Sequence, residues 1–143
     1  MQSKTAAGIQ LSKDEIKRRL APMFTDETLD LVILFGSSAA GRLHRGSDID
    51  IGFLFDRRED VVDLTNRATG LLRTDKVDVV DLRRASPLLM YAAARQGIPL
   101  YERMPGSFAG FYSLSFRMYV DTEKLRRARD RAIGRFLQKE GHE

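Results

Sequence analysis

Two carboxylates stand one residue apart at the head of an apolar stretch, "DIDIGFLF" over residues 48–55, and no other feature constrains the fold more. Alternation along a strand sends Asp48 and Asp50 to one face and Ile49, Ile51, Phe53 and Phe55 to the other. The apolar face demands a core beneath it. The acidic face repels itself unless a cation lies between the carboxylates, and burying an unpaired carboxylate is costly. Magnesium is a hard cation that takes oxygen ligands and leaves room for phosphate oxygens. The aspartates are therefore expected to face a cleft filled by magnesium and a nucleoside triphosphate.

The flanking segments supply partners for that cleft. "LDLVILF" (29–35) is a continuous apolar run, which reads as a strand buried on both faces. Gly36 ends it, and a glycine there lets the backbone turn sharply and a phosphate approach closely. "SSAAGRL" then opens a short helix, whose free N–H groups and the Ser37 hydroxyl form an anion site. Arg42, one turn on, is either a bidentate phosphate donor or a surface arginine. Ser47, in the Gly46-Ser47 turn, either contacts phosphate or shapes the turn; His44 and Arg45 read as exposed loop residues. "KVDVVDL" (76–82) is a third strand with Asp78 set between valines. Asp81 competes with it for the role of third carboxylate. Three positions on, Asp81 points to the other face and reads better as a turn cap. If this strand pairs beside 48–55, three carboxylates share one face, an arrangement that can hold two metal ions for in-line phosphoryl transfer.

The rest of the chain reads as helices around these strands. Ser12 and Glu15 fit a capping box for a helix over 13–23. Apolar spacing gives a second helix over 58–72, and Ser86-Pro87 starts a third that stops at Gly97. "IPLYE" is a short extended piece; after Pro105-Gly106 the chain is helical almost to its end, with a break expected near Asp121-Thr122. Strands alternating with helices predict two or three packed layers in one domain over 1–143, with 1–11 as a tail. Lys124, Arg127, Arg131 and Arg135 form a stripe on the last helix, read as a solvated face or as contact with an acidic partner or RNA. Phe108, Phe111, Tyr112, Phe116 and Tyr119 read mostly as core, with some available to a protein interface.

Composition removes other classes. The 143 residues contain no Cys and two His, which excludes disulfides and thiolate sites and argues against a histidine zinc site. No leader-like apolar segment and no apolar run of about 20 residues is present, so a cytoplasmic protein without a membrane partner is expected. A net charge of +4 favours anionic partners, and nucleotide phosphates satisfy it without nucleic acid.

Gly36-Ser37, ten intervening residues and Asp48-x-Asp50 resemble the signature of the DNA polymerase β-like nucleotidyltransferase superfamily. "GSSAAGRLHRGSDIDI" followed by "VDVVDL" is similar to the minimal nucleotidyltransferases, among them MntA-type antitoxins encoded beside HEPN-domain toxins. The resemblance runs over about residues 12–138. It implies an α+β polymerase β-like fold: a mixed sheet with helices packed against it and a C-terminal helix. It also implies that Gly36 and Ser37 hold the triphosphate, that Asp48 and Asp50 bind Mg2+, and that Asp78 completes the triad and activates the attacking hydroxyl. The implied reaction moves AMP from ATP to a tyrosine of a cognate HEPN toxin. Two other readings stay open: a non-catalytic antitoxin that masks its partner, and a small-molecule nucleotidyltransferase completed by a second subunit.

Overall fold

The computed structural model describes residues 11–36 and 48–141. Four strands form one mixed sheet: β1 (Leu29–Phe35), β2 (Ile49–Phe55), β3 (Val77–Asp81) and β4 (Ile98–Glu102). Their order is β3-β2-β1-β4. β1 pairs antiparallel with both β2 and β4, and β3 pairs parallel with β2. β1 is central, and every residue of it except Asp30 is buried, as its unbroken apolar run requires.

Helices cover both faces of the sheet. On one side α1 (Lys13–Leu20) and α2 (Val61–Leu72) bring Ile16, Leu20, Leu64, Ala68 and Leu72 against Val32, Leu34, Ile51 and Phe53. On the other, α3 (Pro87–Gln96) and α4 (Ser107–Gly141) bring Met90, Ala93, Ala94 and Phe111 against Leu31, Ile33 and Phe35. The alternation of β1 thus feeds two cores with one strand.

Local chemistry fixes the helix starts. The Ser12 hydroxyl accepts the N–H of Glu15 at 3.1 Å and the Ser86 hydroxyl that of Leu89 at 3.2 Å, with Pro87 at the first position of α3. α2 begins at Val61 rather than near 58, because the Asp60 carboxylate caps the N–H groups of Val62 and Asp63. The helix expected over 13–23 is in fact α1 followed by a tighter 3-10 turn over Ala21–Thr25, where Pro22 cannot supply an N–H.

The expected break at Asp121-Thr122 is absent: α4 runs unbroken for 35 residues. Thr122 stays in the helix by returning its hydroxyl to the carbonyls of Met118 and Tyr119, and Arg126 bonds back to the Thr122 hydroxyl and the Tyr119 carbonyl. Of the aromatic cluster, Phe111 is core. Tyr112 and Phe116 are exposed and pack on Tyr91 of α3, the first edge-on and the second tilted, beside the stacked pair Tyr91 and Tyr119. The basic stripe is exposed. The expected tail over 1–11 ends too late, because Leu11 is buried in the core with Ile16 and Leu20. Residues 1–10, the expected short helix after Gly36 and the Gly46-Ser47 turn lie outside the described residues.

Candidate active site

β1 ends at the same edge of the sheet where β2 and β3 begin. Phe35 pairs with Asp50, and Asp50 pairs in parallel register with Asp78. Asp50 shares its face with Gly52 and Leu54, the side that carries α3 and α4. Asp78 shares that side with Val80. The pairing on which the third carboxylate depended is therefore present.

Asp50 is half-buried, while Asp48 and Asp78 are exposed. Burial holds the Asp50 carboxyl above its ordinary value of 3.8, and the charges of Asp78 and then Asp48 push the same way. Among the described residues, none of the three aspartates has an ion-pair partner.

Gly36 closes this corner. Its φ is +73°, a left-handed conformation in which side chains are strained. A Cβ built on it would lie 2.1 Å from Asp50 Oδ2 and 3.0 Å from Asp50 Cγ. Gly36 thus makes room for the carboxylate as well as turning the chain. Sequence reasoning assigned it to the turn and the phosphate and missed this seat. The cause is the long-range pairing of Phe35 with Asp50, which no local pattern encodes.

Asp81 behaves as the sequence suggested. It is buried, its Oδ1 accepts the Arg83 N–H at 3.1 Å, and Arg84 Nε lies 3.8 Å from Oδ2. It shapes the turn after β3. Ser37, Arg42 and Ser47, the remaining expected phosphate contacts, lie outside the described residues.

The three carboxylates share a strand end without closing around one point. Among the described residues no three acidic or histidine side chains are set to enclose an ion. The donor set nevertheless fits a hard divalent cation: only oxygen ligands, like charges side by side, and a half-buried member whose charged form needs a counter-ion.

A sheet of this order, with paired carboxylates beside a glycine turn at one strand end, defines a class of phosphoryl-transfer enzyme. Residues 18–105 match the family described as polymerase beta, nucleotidyltransferase, and the chain belongs to that family. The family implies a divalent metal and ATP use. Within it, the chain is 29% identical over 125 residues to the protein adenylyltransferase MntA of Aphanizomenon flos-aquae, covering 79% of this chain and 83% of that one. It is 41% identical over 76 residues to the protein adenylyltransferase MntA of Shewanella oneidensis, covering 51% and 54%.

Solved structures agree. A toxin–antitoxin crystal structure with AMP-PNP superposes with a TM-score of 0.72 at 30% identity, over 86% of this chain and 98% of that one. A tri-AMPylated Shewanella oneidensis HEPN toxin in complex with MNT antitoxin matches with a TM-score of 0.68 at 25% identity, over 85% and 98%. The expected minimal-nucleotidyltransferase likeness and α+β fold are thus borne out. No helix among the described residues is long and apolar enough to cross a membrane.

Proposed function

We propose that the chain is a Mg2+-dependent protein adenylyltransferase that moves AMP from ATP onto a tyrosine hydroxyl of a co-encoded HEPN-domain toxin. The transfer makes it an antitoxin of the cytoplasm, working as one domain over its 143 residues. One observation carries the reading: Asp50 and Asp78 stand in register beside the left-handed Gly36, a strand end with crowded carboxylates at a backbone turn. The relatives named as protein adenylyltransferases support it.

In this reading Asp48, Asp50 and Asp78 hold the metal, and Gly36, Ser37, Arg42 and Ser47 receive the triphosphate. A divalent ion bound there neutralises the triphosphate and favours departure of pyrophosphate. Asp78 sits on β3, an edge strand, and is exposed. A tyrosine presented by another protein can therefore reach it from the open side. Asp78 takes the hydroxyl proton as the oxygen attacks the α-phosphorus and the bond to pyrophosphate breaks. Asp50, seated against Gly36, keeps its carboxylate at the same strand end.

The test combines the chain with its co-encoded HEPN protein and ATP labelled at the α-phosphate. The expected result is label on the HEPN protein, a mass gain of one or several AMP units, a Mg2+ requirement and loss of label with Asp78→Asn. A tight complex in which no nucleotide is ever added overturns the reading and leaves antitoxin action by masking.

A further inference from the structure

The second half of α4 stands off the domain. At 1.5 Å per residue its 35 residues extend about 52 Å. The domain supports only the first part: Phe108, Phe111 and Met118 join the core under α3, and Tyr112, Phe116 and Tyr119 lean on Tyr91. Every residue from Arg127 to Lys139 is exposed.

A helix that projects into water is expected to be polar all round. This one is not. Phe111, Met118, Leu125 and Ala132 recur every seven residues, so the seam that seats α4 on the domain continues past it. Phe111 is 4% exposed, whereas Leu125 is 71% exposed and Phe136, one turn beyond Ala132, is 61% exposed. Ile133 and Leu137 lie bare beyond Arg129, which edges the strip, and Ala128 and Ala132 leave the strip shallow enough for a second helix to approach closely.

Charge selects what covers the strip. Residues 123–139 hold seven Lys or Arg against two acidic residues, Glu123 and Asp130. Those two already pair, with Arg127 at 2.9 Å and Arg129 at 3.9 Å. Two copies of this segment would bring like charge to both flanks of the seam. RNA would answer the charge but leave Leu125, Ile133 and Phe136 uncovered. A seam continuous with a helix–helix contact is best completed by another helix, with an apolar stripe edged by Asp and Glu.

We infer that the projecting half of α4 is the docking arm for the protein acceptor, which meets it with an apolar helix flanked by acidic side chains. The inference rests on the protein-acceptor reading above and adds where that acceptor is gripped. The arm is remote from the carboxylates in sequence and supplies affinity rather than chemistry.

The test measures binding and AMP transfer between the full chain and the co-encoded HEPN protein, with wild type, Arg131→Glu/Arg135→Glu and Leu125→Asp/Phe136→Asp. Each double variant should raise Kd and the KM for the protein acceptor by roughly tenfold or more. The turnover at saturating acceptor and the KM for ATP should hold, and wild-type affinity should fall as salt rises. Unchanged acceptor KM in both variants, while wild type still transfers AMP, overturns the docking arm alone. Absence of both binding and transfer in wild type overturns the protein-acceptor reading itself. Concentration-dependent self-association abolished by Leu125→Asp/Phe136→Asp, or arm-dependent binding to poly(U) or anionic vesicles with acceptor binding unaffected, also overturns the arm's assignment.

Discussion

At the end of the sheet where β1 starts and β2 and β3 finish, aspartates meet donors. Asp26 accepts the Thr28 N–H at 2.9 Å and its hydroxyl at 2.7 Å, and these bonds hold its carboxyl below the usual range. Asp60 caps α2, and Asp81 accepts the Arg83 N–H. At the opposite end, Asp48, Asp50 and Asp78 meet one another. The first group satisfies local backbone and serves the fold. The second leaves like charges side by side, as the proposed metal and nucleotide site requires. Asp78 and Asp81 show the contrast on a single strand, where the more buried aspartate is the structural one. Crowding of like charge, more than burial, sets the candidate site apart.

The sharpest way to break this contrast is to remove one aspartate from each end. Asp78→Asn should lower AMP transfer about 10²- to 10⁴-fold with little change in the melting temperature. Asp81→Ala should leave transfer within about twofold yet cost about 1 kcal/mol of stability, because the Arg83 N–H loses its acceptor. Steady-state transfer rates and denaturant melts separate the two. Equal losses of rate would erase the distinction between the ends.

Gly36→Ala probes the seat between them. The new methyl meets Asp50 Oδ2 and forces a left-handed alanine. It should cost about 1–2 kcal/mol of stability, and displacing Asp50 should lower turnover about 10- to 100-fold. Turnover equal to wild type in a folded protein would detach Gly36 from the positioning of Asp50. A smaller effect belongs to the far end. Asp60→Ala removes the cap of α2 and should cost about 1 kcal/mol by denaturant melt, with transfer unchanged.

Much of this was legible in the sequence. The apolar run of β1 and the alternation of β2 fix two strands within a residue, because side-chain period and burial are local properties. The capping serines at 12 and 86 read correctly for the same reason. Asp78 could be nominated but not joined to Asp50, since the parallel register of β2 and β3 is set across α2. Gly36 was legible as a turn and not as the seat of Asp50. The break expected in α4 failed because Asp121-Thr122 reads as a poor helix pair, while Arg126, a turn later, holds Thr122 in place. The projecting seam was present as a seven-residue repeat from Phe111. It gains meaning only once the first half is seen to be covered and the second bare.

The central claim is that the crowded carboxylates disfavour the bare fold and are relieved by a bound cation and nucleotide. Asp50 has its carboxyl raised above 3.8 in the folded chain, so its stabilising contribution is present at low pH and is lost as pH rises through the raised value. Thermal melts of wild type and Asp50→Asn, in EDTA from acid to neutral pH and again with Mg2+ and ATP, test this directly. In EDTA the variant should melt at or above wild type, with the gap widening as pH rises. With Mg2+ and ATP at about 100 times Kd, wild type should gain about 2.7 kcal/mol and overtake the variant, which gains little. Wild type melting above Asp50→Asn throughout in EDTA, with no gain from Mg2+ and ATP, would contradict the claim.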